Sequence, residues 1–238
     1  MVAHSVATSK NDEAAFKAAA ALVSGKDVLA IAVCPRGDDD KPPEILLVVS
    51  KVSLDLDGYG RKFILWQDSQ LQLSHYTPQR LETAIEEEAG CWLISGKVLF
   101  SKTVHDPADV LTVLRKTVNS VPYDKRMALL GRTIDEARAF PLMILNRGPS
   151  MTSATQRTLL RDVPALARAL FLLNGQPPRC EGTLLDDLLG LDRFPPGIEG
   201  IPEILRGLDR YDLKRFEAAR KKYEAIMRGL EAMSGLKR

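Results

Sequence analysis

Three cysteines and three histidines are all that the 238 residues contain, and their scarcity closes several routes to function at once. Cys34, Cys91 and Cys180 are odd in number and widely spaced. That gives neither a disulfide framework nor the paired spacing of a zinc site, so reduced, partly buried thiols are expected. His4, His75 and His105 include no two at helical spacing, so no histidine pair grips a metal from one helix face. His75, at the end of an expected strand, is read as packed or surface-exposed rather than as a proton acceptor. Long apolar runs are missing too. The best, Val28–Cys34 and Ile45–Val49, fall far short of the roughly 20 residues that span a bilayer. The first ten residues, MVAHSVATSK, have no apolar signal core, so a cytoplasmic protein without a membrane part is expected. There is no internal repeat and no low-complexity tract.

What is present is an ordinary globular mixture, 45% apolar and 27% charged, enough for one large or two small domains. The net charge of +2 hides an asymmetry. Residues 1–105 hold 11 Lys/Arg against 14 Asp/Glu, and residues 106–238 hold 22 against 17. After Leu205, ten basic residues face five acidic ones. A polyanion contact, if the chain makes one, is expected there, with Arg215, Arg220, Lys221 and Lys222 as its cations. The alternative is a solvated helix face, since no aromatic stacking motif accompanies them.

The order of elements is α, then β, then all α. Residues 11–25 are alanine-rich and end at Ser24-Gly25, which predicts a helix. Asp27–Cys34 and Glu44–Lys51 are apolar on both faces, as in central strands. Arg61–Gln67 and Gln70–Tyr76 follow as strands around an Asp68-Ser69 turn. Thr77-Pro78 starts a helix with a capping hydroxyl and a proline at its first position, and Gly90 ends it. Lys97–Ser101 reads as an edge strand. From Asp106 onward only helices are expected: one after Asp106-Pro107, one over Lys125–Asn146 that Pro141 should kink or end, and Thr152–Asn174, interrupted at Pro164. Short helices over Leu184–Leu191 and Pro202–Leu208 come next, then a long one over Asp209–Met233. The expected fold class is α+β, a mixed sheet flanked by helices, followed by an all-α helical bundle, with domains at 1–105 and 106–238.

In this order the segments EILLVVSK, HYTPQRLETAIEE and SGKVLFSK resemble the nucleotidyltransferase domain of the DNA polymerase β-like superfamily, and ALARALFLLNGQP is similar to the helical domain of its minimal members. The resemblance implies transfer of a nucleoside monophosphate from an NTP to a hydroxyl acceptor, with Mg²⁺ as cofactor. It places a phosphate-binding turn at Arg36-Gly37. The paired carboxylates of the second strand fall on Pro43 and Ile45, leaving Glu44 as the acidic residue between them, and the third falls near Gln72 or Ser74. Asp38, Asp39 and Asp40, and the pair Asp55 and Asp57, are the acidic groups available to hold the metal instead. One-residue spacing sets Asp55 and Asp57 on one face of an extended chain; the alternative for both sets is a solvated turn beside Gly37 or Gly58. Glu44, Asp55 and Asp57 are thus the candidate catalytic residues. Arg36, Gly37, Arg61 and Lys62 are the candidate nucleotide-binding residues, and Glu86, Glu87 and Glu88 are read as surface. The contrasting expectation is a catalytically inactive scaffold on this fold, binding nucleic acid or a protein partner.

Overall fold

The two runs that are apolar on both faces form strands in the interior of a sheet, because only a covered sheet interior can bury such a run. The computed structural model describes residues 10–25, 27–35, 42–51, 61–146, 164–201, 203–204 and 212–235. Five strands, β1 (Val28–Val33), β2 (Glu44–Val49), β3 (Arg61–Trp66), β4 (Ser69–Tyr76) and β5 (Lys102–His105), form one mixed sheet in the order β3-β4-β2-β1-β5. β2 runs parallel to β4, and the other neighbours are antiparallel. The turn between β3 and β4 sits on Gln67 and Asp68, both left-handed (φ 45° and 66°), one residue earlier than the sequence suggested. Two left-handed residues in a row match the twist of a tight hairpin.

Alternation along the strands sends side chains to two cores. On one side, Ile31, Val33, Ile45, Leu47, Leu71 and Leu73 pack with Ala15, Ala18 and Ala19 of helix α1 (Lys10–Ala21). On the other, Ala30, Ala32, Leu46 and Val48 pack with residues of three helices: α2 (Pro78–Glu87), α3 (Leu93–Phe100) and α4 (Val110–Asn119). The expected cap on α2 is present: Thr77 Oγ1 accepts from the Arg80 N–H at 3.3 Å. α4 begins four residues after Asp106, whose carboxylate still accepts from the N–H groups of Leu111 and Thr112.

One sequence expectation is corrected in this unit. Residues 97–100 lie in α3, and the edge strand is β5, just beyond. The apolar run VLF was read as strand, but Glu88 caps a helix start there: its carboxylate accepts from the Ile94 and Ser95 N–H groups at 3.2 and 3.0 Å. Glu88 is therefore a structural cap, not plain surface.

The chain divides into two compact units, residues 1–121 with 177–183, and residues 122–176 with 184–238. The second contains α5 (Tyr123–Asn146), α6 (Pro164–Asn174), α7 (Leu184–Leu189) and α8 (Leu213–Ser234). Its core is built from Leu130, Ile134 and Ala137 of α5, Leu166, Leu170 and Leu173 of α6, and Phe216, Tyr223, Ile226 and Leu230 of α8. α5 continues past Pro141 to Asn146, so the proline does not end it. Proline has no N–H, so the carbonyl of Ala137, four residues back, loses its helical donor. The buried Tyr223 hydroxyl supplies the missing bond, donating to that carbonyl at 2.8 Å. Burial pushes the Tyr223 phenol well above its ordinary range, which keeps the donor protonated.

Candidate functional site

The start of β2 is where the resemblance places acidic chemistry, and the strand register fixes what surrounds it. Parallel pairing sets Glu44 beside Gln72 and Leu46 beside Ser74. The even-numbered residues of β2 and β4 share the face covered by α2 to α4, so Glu44, Gln72, Ser74 and Tyr76 line up there. Gln72 and Ser74, near which the resemblance expects the third carboxylate, are both neutral.

A cation from α3 meets this row. Lys97, from α3, donates to Glu44 Oε1 at 2.7 Å, with side-chain exposures of only 21% and 17% for the pair. The Ser74 hydroxyl donates to the same oxygen at 2.6 Å, and Gln72 Nε2 reaches Ser74 Oγ at 3.5 Å. Burial opposes the charge on Lys97, but Glu44, together with Cys34 and Tyr76, outweighs it and holds the ammonium above its ordinary range. The cluster is thus a charge-assisted network closed on itself. Lys97 was not among the sequence candidates because its segment reads as a strand; the one available signal is a lone apolar-flanked lysine in SGKVLF.

Cys34, at the end of β1, lies beside the pair. Burial, reinforced by Glu44, pushes its thiol far above the usual range, so it stays protonated and unreactive. α3 reaches this position because Gly96 precedes Lys97. A Cβ at 96 would stand 1.9 Å from the Pro178 carbonyl oxygen, so only glycine lets the segment 177–183 lie against the helix.

The remaining sequence candidates separate. Arg36, Gly37, Asp38, Asp39, Asp40, Asp55 and Asp57 lie outside the described residues. Arg61 opens β3 opposite Ser74. Lys62 is exposed and, paired with Leu73, belongs to the α1 face, away from Glu44. His75 shares that opposite face by the same alternation. An open cleft of 450 Å³ runs along α2, lined by Tyr76, Gln79, Arg80, Thr83, Ala84 and Glu87; it does not include Glu44 or Lys97. Among the described residues no group of three or more His, Cys, Asp or Glu stands ready to hold a metal.

These described residues do not fit Mg²⁺. A hard cation of this size needs about six oxygens, with carboxylates among them, and Glu44 is the one carboxylate of the row, its Oε1 already shared by an ammonium and a hydroxyl.

Comparison with known proteins adds little. No family model matches the chain, and no curated protein does. Among solved structures it is similar to a nucleotidyltransferase-like protein from Exiguobacterium sibiricum, with 16% identity over 93% of this chain and 73% of that one, at a TM-score of 0.45. The α+β class rests on the sheet itself. Among the described residues, no helix is long and apolar enough to cross a membrane.

In the second unit the basic candidates are resolved individually. All lie on α8, whose N-terminus Asp212 caps through the Arg215 N–H at 3.0 Å. Arg220 is committed to Glu217 and Glu224 at 2.8 and 3.0 Å. Arg215, Lys221 and Lys222 are exposed.

Proposed function

We propose that the chain is a nucleotidyltransferase-like protein that acts without catalysis, as a binding scaffold. The observation that carries this reading is the Glu44–Lys97 pair: Glu44, the one acidic residue between the positions Pro43 and Ile45 where the resemblance expects paired carboxylates, is held by an internal ammonium at 2.7 Å. Gln72 and Ser74 beside it add no negative charge. The sheet and its helices keep the frame, and the polar row serves cohesion.

The test is pyrophosphate release from each of the common NTPs with Mg²⁺ present. No release above the protein-free rate is expected. Release that vanishes in an Asp55→Ala/Asp57→Ala variant would sink the reading and return the chain to transfer of a nucleoside monophosphate to a hydroxyl acceptor. That second reading is favoured by the density of acid on both sides of β2 in the sequence, Asp38, Asp39 and Asp40 before it and Asp55 and Asp57 after it. It needs those residues to hold the metal, since Glu44 is engaged.

A further inference from the structure

The charges of α8 sort into rows once its buried seam is known. Phe216, Ala219, Tyr223, Ile226 and Leu230 are buried at alternating three- and four-residue steps, which fixes the solvent face as the one carrying Lys214, Ala218, Lys221, Ala225, Arg228 and Ala232. All six are exposed. Lys214, Lys221 and Arg228 recur every seventh residue, about 10 Å apart along the axis. Arg215 and Lys222, also exposed, make a second row about 100° around the helix, with the alanines between the two.

The acidic residues of α8 are occupied elsewhere. Glu217 and Glu224 bind Arg220, and Glu231 binds Arg138 of α5. Among the described residues Lys214, Arg215, Lys221, Lys222 and Arg228, five exposed cations of α8, have no ion-pair partner, Glu217 and Glu224 nearby being engaged by Arg220, in a protein whose net charge is only +2.

We infer that this face of α8 is a binding surface for the phosphate backbone of double-stranded nucleic acid, read by charge and not by sequence. Charge complementarity selects the partner. A duplex presents a continuous line of negative charge, and regularly repeated cations on a rigid rod neutralise it with little reorganisation. The alanines keep the surface low, so neighbouring phosphates approach both rows. An acidic protein partner is disfavoured because the face offers no aromatic or large apolar anchor, on which protein interfaces depend. The proposed set differs from the four cations of the sequence expectation: Arg220, paired with Glu217 and Glu224, is left out, and Lys214 and Arg228 are added. It stands independently of how Glu44 is read.

The experiment is fluorescence anisotropy of the full chain with a labelled mixed-sequence DNA duplex, without NTP or Mg²⁺. With about five phosphates neutralised, log affinity should fall against log salt with a slope near −4.5, or roughly 500-fold between about 50 and 200 mM. The triple variant Lys214→Gln/Lys221→Gln/Arg228→Gln should flatten the slope to about −2 and weaken binding at least tenfold at low salt. Its thermal melt should match the parent, which separates lost contact from lost fold. Lys51→Gln/Lys116→Gln, exposed cations of the first unit, should change little. A parent slope shallower than about −1, or a triple variant that binds like the parent, overturns the proposal. So does polyglutamate of matched charge binding tighter than the duplex, which would assign the face to an acidic polypeptide.

Discussion

Lys97 and Lys221 carry the same ammonium group in opposite surroundings: Lys97 is 21% exposed and held by Glu44 and its neighbours, whereas Lys221 stands on an open helix face among other cations. Lys97 is a lone lysine in a segment that reads as an edge strand, whereas Lys221 belongs to the basic run of a long helix, so the sequence nominates Lys221 and passes over Lys97. What separates them is the carboxylate each can reach. In the first unit the strand register delivers Glu44 to α3. In the second, Arg220 and Arg138 absorb the acidic row of α8 and leave its basic rows unmatched. The Glu44–Lys97 charge is spent within the first unit; the exposed cations of α8 are the ones proposed above to meet a partner.

The strongest way to break this contrast is to remove the buried cation. Lys97→Met should cost about 2–4 kcal/mol in urea denaturation, between the small worth of exposed pairs and the cost of stranding a buried charge. Glu44→Gln in the same chain should recover part of the loss. A cost below about 0.5 kcal/mol would show the pair to be mere surface. Its pH dependence has a definite sign. Burial opposes the Lys97 charge, Glu44 with Cys34 and Tyr76 more than compensates, and the folded group lies above its unfolded value. Its contribution is therefore complete below about pH 10.4 and declines as pH rises through the folded value. Tyr223, raised by burial, weakens the fold in the same alkaline window, so the parent must be compared with Lys97→Met to isolate the lysine.

Next in size is Gly96→Ala, which forces a methyl group against the Pro178 carbonyl and should cost about 1–3 kcal/mol by chemical denaturation. An unchanged midpoint would mean that the segment 177–183 yields without resistance. In the second unit, Tyr223→Phe should cost about 1–2 kcal/mol because it leaves the Ala137 carbonyl without its donor. Pro141→Ala should shrink that cost, since alanine restores the helical N–H; equal costs in both backgrounds would separate the tyrosine from the proline. At the small end, Lys221→Gln/Lys222→Gln should move stability by less than about 0.5 kcal/mol. A melting shift comparable to that of Lys97→Met would erase the distinction between the two kinds of charge.

Much of the frame was legible because local chemistry and tertiary demand agree in it. Val28–Val33 and Glu44–Val49 are apolar on both faces and lie at the centre of the sheet; Thr77 and Pro78 start a helix in the sequence and in the fold. The failures lie where a distant group decides. Residues 97–100 are helical because Glu88 caps the turn before them. α5 continues past Pro141 because Tyr223, far along the chain, replaces one bond. The site was half legible: Glu44, Gln72 and Ser74 were placed side by side by strand order, but the ion pair depends on a helix that the sequence presented as a strand. On α8, the basic excess could be counted, but which cations were already matched could only be seen once the seam was fixed.

The return of residues 177–183 to the first unit has a consequence for the order in which the protein is made. Pro178 lies over Gly96, and Cys180 is buried within the same unit. A chain emerging from the ribosome therefore has all five strands and α1 to α4 outside long before the piece that closes over α3. The sheet can form early, but the first unit cannot finish until the helices α5 and α6 have also emerged, and closing that excursion carries an entropic cost of about 3–4 kcal/mol. The unit that begins first is the one that has to wait, with the roof of the Lys97 helix open until residue 183 is free.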